Sequence, residues 1–123
     1  MSDGDLKYEQ PPPMSRSERE ETFRSGDAES IGNALIGALY DDEEGSWIFD
    51  WCLKLIGHRD GVVRYSVALV LGNVAILRGG GIDLLKCLEA VETLINDLDE
   101  RVRIAAKDAQ EDVLHAIRLK GVS

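Results

Sequence analysis

The chain has 123 residues, 44% of them apolar and 30% charged, so a single domain with one modest core is expected. Asp and Glu number 23 against 14 Lys and Arg, which gives a net charge of −9 at pH 7. Because neutralising phosphates needs clustered Lys and Arg, this balance argues against a nucleic acid or an anionic membrane as the partner. A basic protein suits it better, since a strongly negative surface steers positive ones.

The first 14 residues predict a tail outside the core. They combine charged residues, a glycine and the run Pro11–Pro13 with too little apolar surface to pack. A proline run favours an extended chain and stops helices, so we expect a disordered leader, with recognition by a proline-binding domain as the alternative. One folded domain is then expected over residues 15–123.

Capping residues and apolar side chains at three- and four-residue steps predict about six helices in this domain. The first helix begins after Ser15, whose capping-box partner is Glu18, and stops at Gly26. The second is capped by Asp27 and runs from Ala28 to Leu39, and the third is capped by Ser46 and runs from Trp47 to Ile56. The last three run from Asp60 to about Leu77, from Asp83 to Ile95, and from Asp99 to about Lys120. No strand signal of comparable strength competes.

The chain repeats itself at an offset of 39 residues. The segment that begins at Asp60 aligns with the one that begins at Asp99, and Leu55-Ile56 aligns with Leu94-Ile95. A period near 40 residues with two helices per unit predicts a helical solenoid.

Arginines occupy the same place in both copies. Arg64 and Arg103 lie in the first turn of a helix, where the macrodipole disfavours a cation, so each should pair with a carboxylate. We expect the partner in the neighbouring repeat, Asp99 for Arg64 or Asp60 for Arg103. Small residues should allow close helix approach, namely Ala68, Gly72 and Ala75.

These residues carry a family resemblance. The pattern Asp60-x-x-Val63-Arg64-x-x-Val67-Ala68-x-x-Leu71-Gly72-x-x-Ala75 resembles the second helix of a HEAT repeat. The second copy matches at Asp99, Val102, Arg103 and Ala106 and then departs at Gln110 and Glu111, as expected of a terminal repeat. Over residues 27–117, the resemblance implies an all-α, HEAT/ARM-like right-handed α-solenoid of about six helices in roughly three antiparallel pairs.

A narrower resemblance concerns function. The chain is similar in its order of motifs to small HEAT-like immunity proteins of polymorphic toxins. The motifs are Ile31-x-x-Ala34-Leu35, an acidic loop before Trp47, Gly57-His58-x-Asp60, and a late Asp108-Ala109-x-x-Asp112. The resemblance implies a cytoplasmic antidote that binds and blocks one toxin domain, as in contact-dependent growth inhibition. Together with the charge, it predicts a basic toxin, such as a nuclease, and an antidote that is monomeric when unbound.

The candidate partner-binding residues form two acidic groups and one aromatic: Asp41, Asp42, Glu43 and Glu44; Asp108, Glu111 and Asp112; and Trp47. Four adjacent carboxylates repel one another, so folding gives no reason for the first group, and a solvated loop is the alternative to a partner contact. The second group is either a solvated face, partly neutralised by Arg103 and Lys107, or an acidic patch that faces the partner. Trp47 and Trp51 either both close the core or leave one ring partly exposed as a binding hot spot.

No motif predicts catalysis, a metal or a cofactor. Gly79-Gly80-Gly81 lacks the strand and lysine of a phosphate loop, and the two histidines do not combine with the cysteines in a metal-binding spacing. The alternative functions are a regulatory scaffold that binds a peptide and a HEAT-like chromophore lyase; a HEAT-like DNA glycosylase conflicts with the negative charge.

The cellular compartment is predicted from the lack of export and membrane-spanning segments. Residues 1–10 lack the apolar segment of a signal peptide, and the pair Cys52 and Cys87 fits a reducing environment. The apolar stretch Val62–Leu77 contains Arg64 and is expected to be too short and too polar to span a bilayer. A soluble, cytoplasmic protein is expected.

Overall fold

The computed structural model describes residues 14–41 and 43–121, and within these ranges the chain is helical without a β-strand. The helices, numbered here in chain order, are α1 (Arg16–Ser25), α2 (Ala28–Tyr40), α3 (Gly45–Leu55), α4 (Gly61–Arg78), α5 (Leu84–Leu94) and α6 (Glu100–Gly121), with a short 3₁₀ turn at Gly79–Gly81. The all-α prediction is confirmed. Of the leader predicted over residues 1–14, the structure describes only Met14, which packs partly buried against the core and is not part of a tail.

Helix starts follow local capping chemistry at most ends. Ser15 and Glu18 form the predicted capping box, and the side chains of Asp27 and Asp60 accept hydrogen bonds from backbone N–H groups of the first turns of α2 and α4. The prediction that Ser46 caps the third helix is wrong, because α3 begins at Gly45. A Cβ atom on Gly45 would lie 2.8 Å from Cβ of Arg78, so this close approach requires a glycine in the first turn.

Helix α4 is the centre of the fold and contacts α2, α3, α5 and α6. The expectation that its apolar stretch is too short for a bilayer is wrong, because Gly61–Gly81 has the length and apolar composition of a membrane span. Half of the most apolar window is buried inside the protein, and the four surrounding helices account for its composition. At Gly72 a Cβ atom would lie 3.0 Å from Cα of Ala109, so α4 and α6 approach closely through small residues, as predicted.

The internal repeat extends to individual hydrogen bonds. Before α4, Asp60 Oδ1 accepts from the N–H of Val62 at 2.9 Å, and Arg64 Nη1 donates to the carbonyl of His58 at 2.7 Å. The turn before α6 repeats both contacts at the same offset, with Asp99 Oδ1 accepting from Arg101 N–H at 2.9 Å and Arg103 Nη1 donating to the Asp97 carbonyl at 2.7 Å. The two turns are therefore chemical copies of each other.

The carboxylate partners of the two arginines differ from the prediction. Arg64 donates from Nε and Nη2 to Asp97, at 2.8 and 3.1 Å, and not to Asp99. Asp99 is occupied elsewhere, since its carboxylate caps the start of α6 and pairs with Arg101 at 2.8 Å. Arg103 does not pair with Asp60, and its contacts within the described residues are to backbone carbonyls. The carboxylate that would correspond to Asp97 is thus absent from the described contacts of Arg103.

Candidate protein-binding site

The acidic loop between α2 and α3 is tied to helix α1. Asp41 accepts from Arg19 at 2.5 Å, while Arg16 donates to Glu43 at 2.7 Å and to Glu44 at 2.9 Å. The expectation that folding gives no reason for these carboxylates is therefore wrong, because two arginines from an earlier helix pair with three of them. The fourth, Asp42, lies outside the described residues.

The buried Arg19 side chain gives Asp41 a structural role as its counter-charge. The Arg19 side chain is only 1% exposed, and Nη1 donates to the carbonyl of Ala34 in α2 at 2.8 Å. Gly37 leaves room for the guanidinium, since a Cβ atom there would lie 3.1 Å from Nη1. A buried cation needs a counter-charge, so Asp41 has a structural role in fastening α1 to α2.

The two tryptophans of α3 have different surroundings. The ring of Trp51 is buried with its centre 4.8 Å from that of Phe23, whereas Trp47 is only partly buried. Trp47 Nε1 donates to Glu20 at 3.0 Å, a bond that lowers the pKa of that carboxyl, and the Arg16 guanidinium lies 4.8 Å from the Trp47 ring centre. One ring is thus partly exposed, but an arginine covers it beside the carboxylate.

The acidic residues of α6 lie on its exposed side. Asp108, Glu111 and Asp112 are exposed, whereas Ala105, Ala109 and Val113 form the buried face, and Asp112 lies at the edge of that face. Within the described ranges, no Lys or Arg forms an ion pair with these three carboxylates. The Arg103 guanidinium donates to the carbonyls of Asp97 and Leu98 instead, while Lys107 is exposed beside Asp108. This face therefore keeps its negative charge.

The two predicted acidic groups belong to different helices that contact α4: one group follows α2, and the other lies on α6. A Cβ atom on Gly72 would lie 3.1 Å from Asp112 Oδ2, which places that carboxylate at the seam between α4 and α6. Asp41 is the C-terminal cap of α2, which is another helix that contacts α4. The described contacts include no bond between the groups. Among the described members, the three α6 carboxylates are available to a partner without breaking an ion pair, whereas Asp41, Glu43 and Glu44 are not.

An apolar groove between α2 and α4 was not predicted from the sequence. It encloses about 250 Å³ and is lined by Ile36, Leu39, Tyr40, Leu69, Val70, Asn73 and Leu77. These apolar residues continue the helical period of the core, so the pattern predicts burial for them. What the sequence does not show is that no described helix covers Tyr40 and Leu77, which are 84% and 61% exposed.

The described residues offer no recognisable reactive centre. They contain no group of three or more His, Cys, Asp or Glu side chains placed to hold a metal ion. Cys52 and Cys87 are buried, and burial raises the pKa of both thiols, that of Cys87 to about 12, so neither is a nucleophile near neutral pH. His58 is used locally, because its Nδ1 accepts from the N–H of Asp60 at 3.0 Å.

Comparison with known proteins finds a similar fold but does not assign the chain to a family. No family model matches the chain, and no curated protein is significantly similar to it. Among solved structures, the fold is similar to that of a chain in the crystal structure of a CDI complex from Cupriavidus taiwanensis LMG 19424. The TM-score is 0.72 at 22% identity, and the match covers 89% of this chain and 96% of the other.

Proposed function

We propose that this chain is an immunity protein, which binds a cognate toxin domain in the cytoplasm and blocks it without chemistry of its own. The observation that carries the proposal is the shared fold over 96% of a chain from a CDI complex. The sequence resemblance to immunity proteins of contact-dependent growth inhibition points the same way. The raised pKa values of both buried cysteines argue against a cysteine nucleophile.

The proposal includes a finer description of the fold. We propose a HEAT/ARM-like right-handed solenoid in which α1 with α2, α3 with α4, and α5 with α6 form three antiparallel pairs. The duplicated turns before α4 and α6 support it, as do the contacts of α4 with both α2 and α6, the second helices of the adjacent pairs. Solenoids of this kind present an extended surface suited to holding another polypeptide.

The charge indicates what kind of toxin would fit. The net charge is −9, and Asp108, Glu111 and Asp112 keep their charge free of ion pairs with described cations. A basic toxin domain, such as a nuclease, would meet these carboxylates where its own cationic residues bind phosphates. The carboxylates would then both attract the toxin and occupy its substrate site.

Co-expression with the product of the neighbouring open reading frame, as the candidate toxin, tests the proposal. We expect a one-to-one complex in light scattering and restored growth of cells that make the toxin, with an unrelated toxin domain as the control that is neither bound nor neutralised. Absence of both complex and protection would reject the immunity role. A stable complex that leaves the toxin active would support the scaffold alternative instead.

A further inference from the structure

The groove between α2 and α4 has the size and character of a pocket for one large side chain. An apolar cavity of about 150 Å³ admits a benzene ring, and this groove encloses about 250 Å³ with mainly aliphatic walls. Its rim is formed by Tyr40 and Leu77, two of the more exposed large apolar residues of the described chain. Adjacent exposed apolar side chains of this size are typical of a contact surface.

Acidic side chains lie on the α6 side of α4, and the pocket lies on its α2 side. Asn73 lines the groove, and the preceding residue, Gly72, packs against Ala109 with the Asp112 carboxylate at the same seam. Asp108 lies one helical turn before Asp112 on the exposed side of α6. A polypeptide that fills the groove and continues across the exposed face of α4 toward α6 would meet the carboxylates of Asp108 and Asp112.

We propose that the groove receives an aromatic side chain of the toxin domain, and that lysine or arginine residues next to that side chain contact Asp108 and Asp112. The identity of the partner rests on the proposed function, whereas the chemistry of the occupant rests on the groove and the α6 carboxylates. Apolar anchors that are flanked by desolvated polar contacts carry most of the binding energy in protein interfaces.

Charge argues against the two internal alternatives. A second copy of the chain would also carry a net charge of −9, so the two copies repel each other overall. The segment 1–13 contains Asp3, Asp5 and Glu9 against Lys7 alone, so it is also repelled by the α6 carboxylates. A cationic partner is the occupant that these charges favour.

A short peptide tests the chemistry without the toxin. The full chain, labelled with ¹⁵N, is titrated with a pentapeptide of one tryptophan between two pairs of lysines, and with two controls, one with alanine for tryptophan and one with glutamates for the lysines. We expect saturable shifts centred on the amides of Tyr40, Asn73 and Leu77 for the first peptide, and binding at least about five-fold weaker for both controls. Shifts spread evenly over the acidic surface would overturn the proposal.

Matched variants locate the contact. Tyr40→Ala and Leu77→Ala should each weaken peptide binding about five-fold, whereas Leu98→Ala, which removes a side chain 96% exposed in the turn before α6, should not. The pair Asp108→Lys with Asp112→Lys should also weaken it, more than Glu89→Lys with Glu92→Lys on the exposed side of α5. Equal effects within either comparison would contradict the assignment.

The toxin domain then separates this inference from the proposed function. A wild-type complex whose affinity is unchanged by Tyr40→Ala and Leu77→Ala would overturn the groove and leave the immunity role standing. Peptide binding at the groove without any toxin complex would support the groove and refute the immunity role. Groove shifts caused by deleting residues 1–13, or a dimer that Leu77→Ala dissolves, would assign the groove to the chain itself and overturn the proposal.

Discussion

Asp97 joins the two copies of the repeat through one side chain. Its carboxylate accepts from Nε and Nη2 of Arg64 and from the backbone N–H of Asp99, and only 9% of it is exposed. Arg64 in turn holds the carbonyl of His58. The turn before α4 and the turn before α6 are thus connected by one bidentate ion pair, the geometry in which arginine binds carboxylates most strongly.

Replacing this carboxylate should destabilise the protein. Asp97→Asn retains the shape but loses the charge and one of the two arginine contacts, so we expect the free energy of unfolding at pH 7 to fall by about 2 kcal/mol. Urea denaturation followed by circular dichroism measures it. Asp108→Asn, an exposed residue without an ion pair, is the control and should change stability by less than about 0.5 kcal/mol.

Acid should weaken the same connection. The Arg64 guanidinium lowers the pKa of Asp97, and hydrogen bonds from Arg101 lower the pKa of Asp99 to about 2. Because both folded-state values lie below those of the unfolded chain, this stabilisation is complete above about pH 5 and is lost as the pH falls toward about 2. Urea midpoints measured across that range should fall less steeply for Asp97→Asn than for the wild type. Parallel curves would contradict the assignment.

Helix α1 is fastened to α2 by a buried cation. Arg19 donates to Ala34 and Asp41, and its Nε has no hydrogen-bond partner among the described residues. Removing one partner of such a pair leaves a buried charge unpaired, which costs more than removing the pair altogether.

We therefore expect Asp41→Ala to lower the free energy of unfolding by about 3 kcal/mol, and Arg19→Met in the Asp41→Ala background to restore part of the loss. Glu44→Ala provides the control, because the Glu44 side chain is 74% exposed and its ion pair contributes little. Thermal or urea unfolding of the four proteins decides the matter. A double variant less stable than Asp41→Ala would show that Arg19 stabilises the fold mainly through its hydrogen bonds to backbone carbonyls rather than through the pair.

Helices α4 and α6 pack closely because Gly72, at their contact, has no side chain. Gly72→Ala places a Cβ atom 3.0 Å from Cα of Ala109 and 3.1 Å from Asp112 Oδ2, so the helices must separate. We expect a net loss of about 1–2 kcal/mol, because overpacking outweighs the higher helix propensity of alanine. Gly57→Ala, with open space around the new Cβ atom, should be neutral or slightly stabilising in the same urea assay. An unchanged Gly72→Ala protein would mean that the seam is loosely packed.

Local chemistry was predictable from the sequence, and long-range pairing was not. Asp60 caps its helix within two residues of its own position, so the sequence pattern is sufficient to predict it. The pairing of Arg16 with Glu43 spans 27 residues and depends on how α1 crosses the loop after α2, which periodicity does not encode. The acidic loop therefore looked like a binding surface, although the fold itself uses most of its charge. Tyr40 was missed for the opposite reason, because its apolar character predicts burial while the neighbouring helices leave it exposed.

Electrostatic steering should control how fast the proposed toxin domain is captured. With a net charge of −9, the wild type should associate with a basic domain at a rate that falls about ten-fold or more between about 0.02 and 0.5 M salt. Stopped-flow fluorescence measures this slope.

The location of the charge matters as well as its sum. The variant with Asp108→Lys and Asp112→Lys changes the net charge by the same amount as the variant with Glu89→Lys and Glu92→Lys. Because like charges beside the contact repel more strongly than distant ones, the α6 variant should associate several-fold more slowly at low salt and have the shallower salt dependence. Equal rates for the two variants would mean that overall charge alone steers the partner and that it binds away from the seam of α4 and α6.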